Sequence, residues 1–310
     1  ASAQPGVRVK ARFAGRDLAG YVFERSDVAE HTGRLAPIRT VVSPERVLTP
    51  QVLELARRIS RHQAGTVMDV LRLAVPPRHA RAEKALPLDP PEPSERAAQV
   101  GSGQDEGESP LDAPASPDAP EVWSGYRAGA AWWSRVAAGE SPRAAWLAAP
   151  SRPVEQDWPR ALAEAARGAL LSVRGSVLVV PDQRDVGRVD AALTEVLGPG
   201  RHVRLTADQG PQARYTAWLK VLRGHVRVVV GTRAAAYAPV RDLGLVAWWD
   251  DGDDLHEEPR APYAHVREVL ATRADIEDAA LLVGGLAMST DVGALVDAGR
   301  VHLVGGGASR

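Results

Sequence analysis

The chain has 310 residues, a length for which two domains are expected, and 45% of them are hydrophobic, as in ordinary globular proteins. It contains no cysteine, which excludes disulfides, thiolate zinc sites and cysteine nucleophiles within these residues. No apolar run approaches the roughly 20 residues of a membrane span, and the first residues show no signal-peptide pattern. We therefore expect a cytoplasmic protein with no membrane partner, and the missing initiator Met indicates a piece of a longer chain.

Charge is distributed unevenly along the chain, although the formal net charge is only −1. Residues 1–85 carry 15 basic and 8 acidic side chains, whereas residues 86–120 carry 1 basic and 8 acidic side chains. A basic first segment is compatible with a polyanionic partner. Residues 86–120 are also rich in proline and contain no aromatic residue, which predicts a disordered acidic linker between two folded units.

The first unit, residues 1–85, opens with alternating apolar and basic residues. In a strand this alternation places Arg8, Lys10 and Arg12 on one face. Thr49 followed by Pro50 predicts the N-cap and first position of a helix. The predicted elements are strands at 7–13, 18–24 and 39–42, a helix after Thr49 and a second helix at 66–74.

The last unit, residues 151–310, alternates between helical and strand patterns. Predicted helices span 157–172, 185–197, 211–222 and 262–276, and predicted strands span 177–180, 203–206, 226–230, 243–249 and 279–283. This alternation predicts a parallel sheet covered on both faces. Residues 121–150 are rich in tryptophan and predict a small helical module. The fold class is therefore α/β, with a parallel sheet preceded by a small β-rich unit.

Three of the predicted strand ends carry residues suited to phosphate or metal binding. Asp250 and Asp251, with Asp253 behind them, follow an apolar strand as in a Walker B arrangement, in which an Asp holds Mg²⁺. The alternative is a solvated acidic loop. Gly231-Thr232-Arg233 offers N–H, hydroxyl and guanidinium groups to a phosphate, or forms only a turn. Gly284-Gly285-Leu286 is equally compatible with a nucleotide-sensing loop and with a turn.

A Walker A phosphate loop, G-x-x-x-x-G-K-[ST], is absent from the sequence. None of the three lysines follows a glycine or precedes Ser or Thr. The place for such a loop is expected just upstream of Val177, where residues 169–175 carry no such pattern. The histidines show no metal-ligand spacing, so no metal site is predicted.

Taken in order, several stretches resemble the PriA family of primosomal replication-restart proteins (protein N′). Residues 212–220, 228–233, 238–244 and 250–254 resemble its first helicase lobe, and residues 7–13, 34–37, 45–50 and 70–77 resemble its N-terminal DNA-binding domain. The resemblance implies a RecA-like lobe and a domain that captures the 3′ end of a nascent strand. It also implies ATP, Mg²⁺ and zinc as cofactors of the family. The implied partners are forked DNA with a 3′ leading-strand end, single-stranded DNA, other primosome proteins and single-stranded DNA-binding protein.

The sequence departs from the family pattern in ways that resemble the degenerate form of high-GC bacteria. The Walker A lysine is missing, and the acidic box is reduced to Asp250, Asp251 and Asp253. The family's second lobe and zinc module lie outside this chain, and the first strand of the DNA-binding domain would precede Ala1. We therefore expect no ATPase, no unwinding and no cofactor in this chain.

The resulting prediction is a non-catalytic DNA-binding protein that recognises stalled or abandoned forks and helps to reload the replicative helicase. The predicted DNA contacts are Arg8, Lys10, Arg12, Gly15, Arg16, Gly231, Thr232 and Arg233. Gly15 is the expected counterpart of the family's pocket glycine. Two alternatives stay open: an active ATP-dependent 3′–5′ DNA helicase with an unrecognised phosphate site, and a protein-interaction scaffold of the primosome. A metal-dependent hydrolase built on residues 250–254 would need a second ligand cluster.

Overall fold

The computed structural model describes residues 3–28, 33, 35–89 and 118–306. Most of the predicted acidic linker, residues 90–117, lies outside the described residues, as does Arg34. Within the described residues, no helix is both long and apolar enough to cross a membrane.

The chain begins with a three-stranded antiparallel sheet in the order β2-β1-β3. Its strands are β1 (Val7–Phe13), β2 (Arg16–Tyr21) and β3 (Ile38–Arg46). The predicted strand at 7–13 is confirmed. Strand β2 begins two residues and ends three residues earlier than expected, and β3 is longer at both ends than predicted. Val7, Val9 and Val22 are buried at one end of the sheet, but Phe13 at the other end is 71% exposed. The apolar face of β1 is therefore only half covered.

Three helices follow the small sheet: α1 (Pro50–His62), α2 (Val67–Ala74) and α3 (Ala80–Ala85). The predicted cap of α1 is confirmed, because the Thr49 hydroxyl accepts a hydrogen bond of 3.2 Å from the Val52 N–H. Thr66 and Asp69 form a reciprocal capping box at the start of α2. The sequence reading missed α3, which is short and has His79 as its N-cap.

The remainder of the chain forms a seven-stranded sheet in the order β10-β4-β9-β8-β5-β7-β6, with every neighbouring pair parallel. The strands are β4 (Arg143–Leu147), β5 (Gly175–Val179), β6 (His202–Leu205), β7 (Val228–Gly231), β8 (Leu243–Trp249), β9 (Ala280–Gly285) and β10 (His302–Val304). The helices are α4 (Glu121–Ser124), α5 (Gly129–Ala137), α6 (Trp158–Leu171), α7 (Gln183–Leu197), α8 (Pro211–Leu222), α9 (Val266–Glu277) and α10 (Thr290–Asp297). The predicted α/β parallel sheet is confirmed.

Two hydrophobic cores lie on the two faces of this sheet. Strand β8 shows why, since all seven of its residues are buried and successive side chains point to opposite faces. Val246 and Trp248 belong to one core, and Leu245 and Ala247 to the other. Continuous apolar runs of this kind are typical of strands in parallel sheets covered by helices.

The segment predicted as a small helical module, residues 121–150, differs from that prediction. It contains α4 and α5 but also β4, which pairs with β9 on one side and β10 on the other. The segment contacts α6 through Trp133, whose indole N–H donates to the Glu164 carbonyl at 2.8 Å. The segment therefore contributes a strand and core side chains to the sheet. Strand β4 reads Arg-Ala-Ala-Trp-Leu, without a β-branched residue to indicate it.

The N-terminal unit packs directly against the α/β unit. Helix α1 packs on α9 and α3 packs on α8, and one hydrophobic core contains residues of both units. The indole N–H of Trp218 donates to the Ala74 carbonyl at 3.1 Å. Arg223, 3% exposed, forms an ion pair of 2.6 Å with Glu45. The buried contacts hold the small sheet in one position relative to the large one.

Candidate nucleic-acid interface

The β1–β2 hairpin carries exposed cations beyond the body of the N-terminal unit. Lys10 lies opposite Ala19 and Arg12 lies opposite Asp17, on the face of β1 that the alternation predicted. Both side chains are exposed and have no hydrogen-bond or ion-pair partner among the residues described. Arg39 of β3 reaches over β1 to donate to the Asp17 carboxylate. It adds a guanidinium to this face that the sequence reading did not identify.

The turn of the hairpin consists of Ala14 and Gly15, both with positive φ, at 47° and 78°. Two such residues between paired strands make a two-residue hairpin whose twist matches that of the strands. A Cβ at Gly15 would have no neighbour within 4 Å, so the turn is open to solvent. Arg16 follows the turn and pairs with Phe13, which places it on the opposite face from Lys10 and Arg12. We name the exposed cations Lys10, Arg12, Arg16 and Arg39 the hairpin cations.

Arg8, although on the same strand face, occupies a different environment. Its guanidinium donates to the Pro76 carbonyl and lies about 6 Å from the rings of both Tyr21 and Tyr215. The Tyr215 hydroxyl donates to the Glu83 carboxylate at 3.2 Å. Burial raises the pKa of this hydroxyl, and the negative charge of Glu83 raises it further. Arg8 therefore joins the small sheet to α8 and is not part of the free basic surface.

The loop after β7 is held by contacts within the α/β unit. A Cβ at Gly231 would lie 2.2 Å from the Leu205 carbonyl oxygen, so glycine is required there by packing. Arg233 forms an ion pair of 3.1 Å with Glu258 and donates to the Leu255 carbonyl at 3.0 Å. Thr232 is partly exposed beside it. The side chain of Arg233 is thus already occupied by the protein.

The acidic pair after β8 divides into one exposed and one buried carboxylate. Asp250 is exposed, with a φ of 59°. The buried Asp251 carboxylate accepts from the Trp248 indole at 2.8 Å, from Ser289 at 2.5 Å and from Arg267. Its oxygens are therefore all engaged by protein donors rather than directed at a ligand.

Asp253 has a local structural contact as well. Its carboxylate accepts from the Leu255 N–H at 2.8 Å and begins the short helix at 254–256. Among the described residues, no group of three or more His, Cys, Asp or Glu side chains is arranged to hold a metal ion. A hydrolytic metal centre on residues 250–254 thus lacks the second ligand cluster that it would need.

The sheet topology corrects the predicted position of a phosphate loop. Residues 169–175 run from the end of α6 into the beginning of β5, which is the opposite edge of the sheet from Asp250 and Asp251. At the carboxyl edge, the loop that follows β4 and begins α6 spans residues 148–157. It contains neither glycine nor lysine. Asp157 caps α6 there, so its carboxylate occupies the helix N-terminus. A bound phosphate would need the N–H groups at that position.

Aromatic rings fill the space beside this loop. Trp158 stacks on Trp249 with ring centroids 4.4 Å apart and an interplanar angle of 7°. Trp249 in turn contacts Trp146, and a Cβ at Gly284 would lie 2.7 Å from the Trp146 ring. The cavity bounded by Trp146, Asp251 and the Gly284-Gly285 turn measures only about 10 Å³, space for at most one water molecule.

Comparison with known proteins identifies the family. Residues 1–76 match the model of the PriA 3′DNA-binding domain (3′BD). The probable replication restart protein PriA of Mycobacterium leprae is 42% identical over 303 residues, which is 97% of this chain and 43% of that protein. The chain belongs to the PriA family. The PriA protein of Mycobacterium tuberculosis is 41% identical over 97% of the chain and 42% of its own length. That of Deinococcus radiodurans is 34% identical over 153 residues.

The match to the PriA 3′DNA-binding domain covers the part of the chain that carries the hairpin. The whole hairpin, α1 and α2 lie within the matched 3′DNA-binding domain. The chain spans about 42–43% of the length of the mycobacterial PriA proteins. The hairpin cations of this PriA-family chain include Arg39, which sequence reasoning missed because its partner Asp17 comes from a strand two places away in the sheet.

Proposed function

We propose that this chain is the DNA-reading part of a PriA-type restart protein that binds forked DNA without hydrolysing ATP. Its ligand would be a fork with a free 3′ leading-strand end, together with adjacent single-stranded DNA, in the cytoplasm. The observation that carries the proposal is the contrast between two sites. Three of the hairpin cations, Lys10, Arg12 and Arg16, are unpartnered among the described residues, whereas aromatic rings fill the position expected for a nucleotide.

The DNA half of the proposal rests on charge and exposure. Lys10, Arg12 and Arg16 surround an open two-residue turn and lack partners among the described residues. Contacts between cations and phosphates are independent of sequence and weaken steeply with salt, because binding releases counterions. The exposed ring of Phe13 at the same end of the sheet gives an unpaired base a surface for stacking.

Three features of the carboxyl edge support the proposed absence of ATP turnover. The Asp251 carboxylate is engaged by Trp248, Arg267 and Ser289. The 148–157 loop provides no lysine for the terminal phosphates. The stacked rings of Trp158 and Trp249 occupy the space where this loop begins α6. These features oppose the alternative of an active 3′–5′ helicase.

The partners implied by the family remain part of the proposal. In this view the bound chain helps to reload the replicative helicase through other primosome proteins and single-stranded DNA-binding protein. In the scaffold alternative, the chain would serve protein contacts only and DNA affinity would not depend on the hairpin.

The test is fluorescence-anisotropy titration of a labelled fork with a free 3′ leading-strand end, using wild type and Lys10→Glu/Arg12→Glu/Arg16→Glu. All three side chains are exposed, so the variant keeps its fold, which a melting curve verifies. If three phosphate contacts are lost, the slope of log K against log salt changes by about 2–3 units. Arg127→Glu/Arg135→Glu/Arg300→Glu, a matched charge change elsewhere on the surface, should have a much smaller effect.

An unchanged affinity in the hairpin variant would support the scaffold alternative and contradict the proposal. ATP consumption measured in the same samples separates the helicase alternative. Robust DNA-stimulated turnover by the wild-type chain would contradict the claim that the nucleotide site is closed.

A further inference from the structure

A cleft of about 740 Å³ lies where the N-terminal unit meets the α/β unit. On one side it is lined by the end of β3 and the start of α1, and on the other by the segment before β8 and the last turn of α9. It therefore lies at the amino edge of the large sheet, away from the aromatic-filled carboxyl edge. Clefts between packed units are common ligand sites.

Two arginines line this cleft with free guanidinium ends. The Nε of Arg46 donates to the Pro5 carbonyl at 2.9 Å, and the Nε of Arg241 donates to the Leu222 carbonyl at 3.0 Å. Each guanidinium is thus fixed through Nε, while its Nη atoms have no hydrogen-bond partner in the described part of the chain. A positioned guanidinium whose Nη1–Nη2 edge is free is suited to bidentate contact with a phosphate.

A third arginine reaches the cleft from a buried position. The side chain of Arg273 is 2% exposed; its Nε pairs with Glu277 at 2.7 Å and its Nη1 donates to the Ala236 carbonyl at 2.8 Å. Its Nη2 makes no hydrogen bond to the part of the chain that the structure describes. Because Arg273 lines the cleft, this remaining N–H group adds a hydrogen-bond donor to the cleft wall.

The carboxylates around the cleft do not cancel these charges. Glu45 is engaged by Arg223 at 2.6 Å, and Asp242 lies 3.3 Å from Arg227. Glu277 is the partner of Arg273. After these pairs, Arg46 and Arg241 are left as uncompensated charges on the cleft wall. The N-terminus of the 13-residue helix α1 lines the same wall, and its dipole adds to the positive potential.

We propose that this cleft binds backbone phosphates of single-stranded DNA and is a second DNA contact of the chain. The inference rests on the proposed DNA binding at the hairpin. Strand β3 connects the two sites, since it runs from beside the hairpin at Ile38 to the cleft at Arg46. Its nine residues span about 27 Å at the usual rise. One strand of DNA lying along the N-terminal unit reaches both sites. The size of the cleft admits a small number of nucleotides and no duplex.

The test compares wild type with Arg46→Ala/Arg241→Ala in anisotropy titrations of a fluorescein-labelled oligothymidylate over a salt series. Loss of two single-strand phosphate contacts reduces the salt slope by about 1.4 and raises Kd about 25-fold at 0.1 M salt. Both side chains lie at the surface, so the melting temperature should stay near that of wild type. Arg127→Ala/Arg300→Ala, which removes two exposed arginines that do not line the cleft, should leave slope and Kd unchanged.

The outcomes separate this inference from the proposed function. In one outcome, wild type binds the oligonucleotide, the Lys10→Glu/Arg12→Glu/Arg16→Glu variant loses this binding, and the Arg46→Ala/Arg241→Ala variant keeps it. The cleft is then not a DNA site, and only the inference is overturned. Polyglutamate serves as a probe for an acidic protein partner. If the Arg46→Ala/Arg241→Ala variant loses binding to polyglutamate that wild type shows, but keeps its DNA binding, the inference is likewise overturned in favour of such a partner. If wild type binds no DNA at all, both claims fall.

Discussion

Replacing Asp251 by alanine distinguishes a structural carboxylate from a catalytic one. The side chain is 3% exposed, and its partner Arg267 is 19% exposed. The substitution leaves Arg267 with only its second ion pair, of 2.9 Å, to the exposed Asp291. The Trp248 indole and the Ser289 hydroxyl lose their acceptor as well. Weakening this buried ion network and leaving two buried donors without an acceptor costs about 3–5 kcal/mol. For a chain of this length, that corresponds to a fall in melting temperature of about 5–8 °C.

The assay is urea unfolding followed by tryptophan fluorescence, with the free energy of unfolding taken from the linear region. Asp250→Asn is the matched control, because Asp250 is exposed and asparagine also tolerates its positive φ. That control should change stability by less than about 0.5 kcal/mol. If Asp251→Ala were as stable as wild type, or more stable, the carboxylate would not be a structural member of the site and our reasoning would be refuted.

Three further predictions concern the packing of the α/β unit and the junction. Trp158→Ala removes a ring stacked on Trp249 and should lower the free energy of unfolding by about 3–5 kcal/mol; an effect below about 1 kcal/mol in urea unfolding would contradict the packing described. Burial lowers the pKa values of His256 and His265, so the folded state binds fewer protons than the unfolded state. The stability that these residues contribute is therefore present above about pH 6.5 and lost as pH falls below it, and urea midpoints that do not decline between pH 7 and pH 5 would count against this. Arg8→Gln should lower stability by about 1–3 kcal/mol with little change in the salt slope of DNA binding, whereas a large slope change with unchanged stability would return Arg8 to the DNA surface.

Local patterns predicted those elements whose residues contain their own signal. The alternation in β1, the apolar run of β8 and the Thr49-Pro50 cap depend on neighbours in sequence, and the structure has all three. Strand β4 was missed because it depends on tertiary context: two alanines and a tryptophan become a strand only between β9 and β10.

The candidate site shows the same division between local and tertiary information. The sequence alone shows that no phosphate-loop motif is present. The place in the fold where such a loop would lie depends on which strands are neighbours in the sheet. Only the topology shows that the loop after β4 adjoins Asp251, and that residues 169–175 lie at the other edge. The engagement of Arg8 by Pro76, and of Arg233 by Glu258, likewise comes from residues distant in sequence.

The central claim is that this chain reads the 3′ end of a fork through the hairpin cations. The most direct measurement is a salt-series anisotropy titration of the wild-type chain with a labelled fork bearing a free 3′ leading-strand end, with blunt duplex as the comparison. We predict tighter binding to the fork and a steep salt dependence. Equal and weak binding to fork and duplex would contradict the claim.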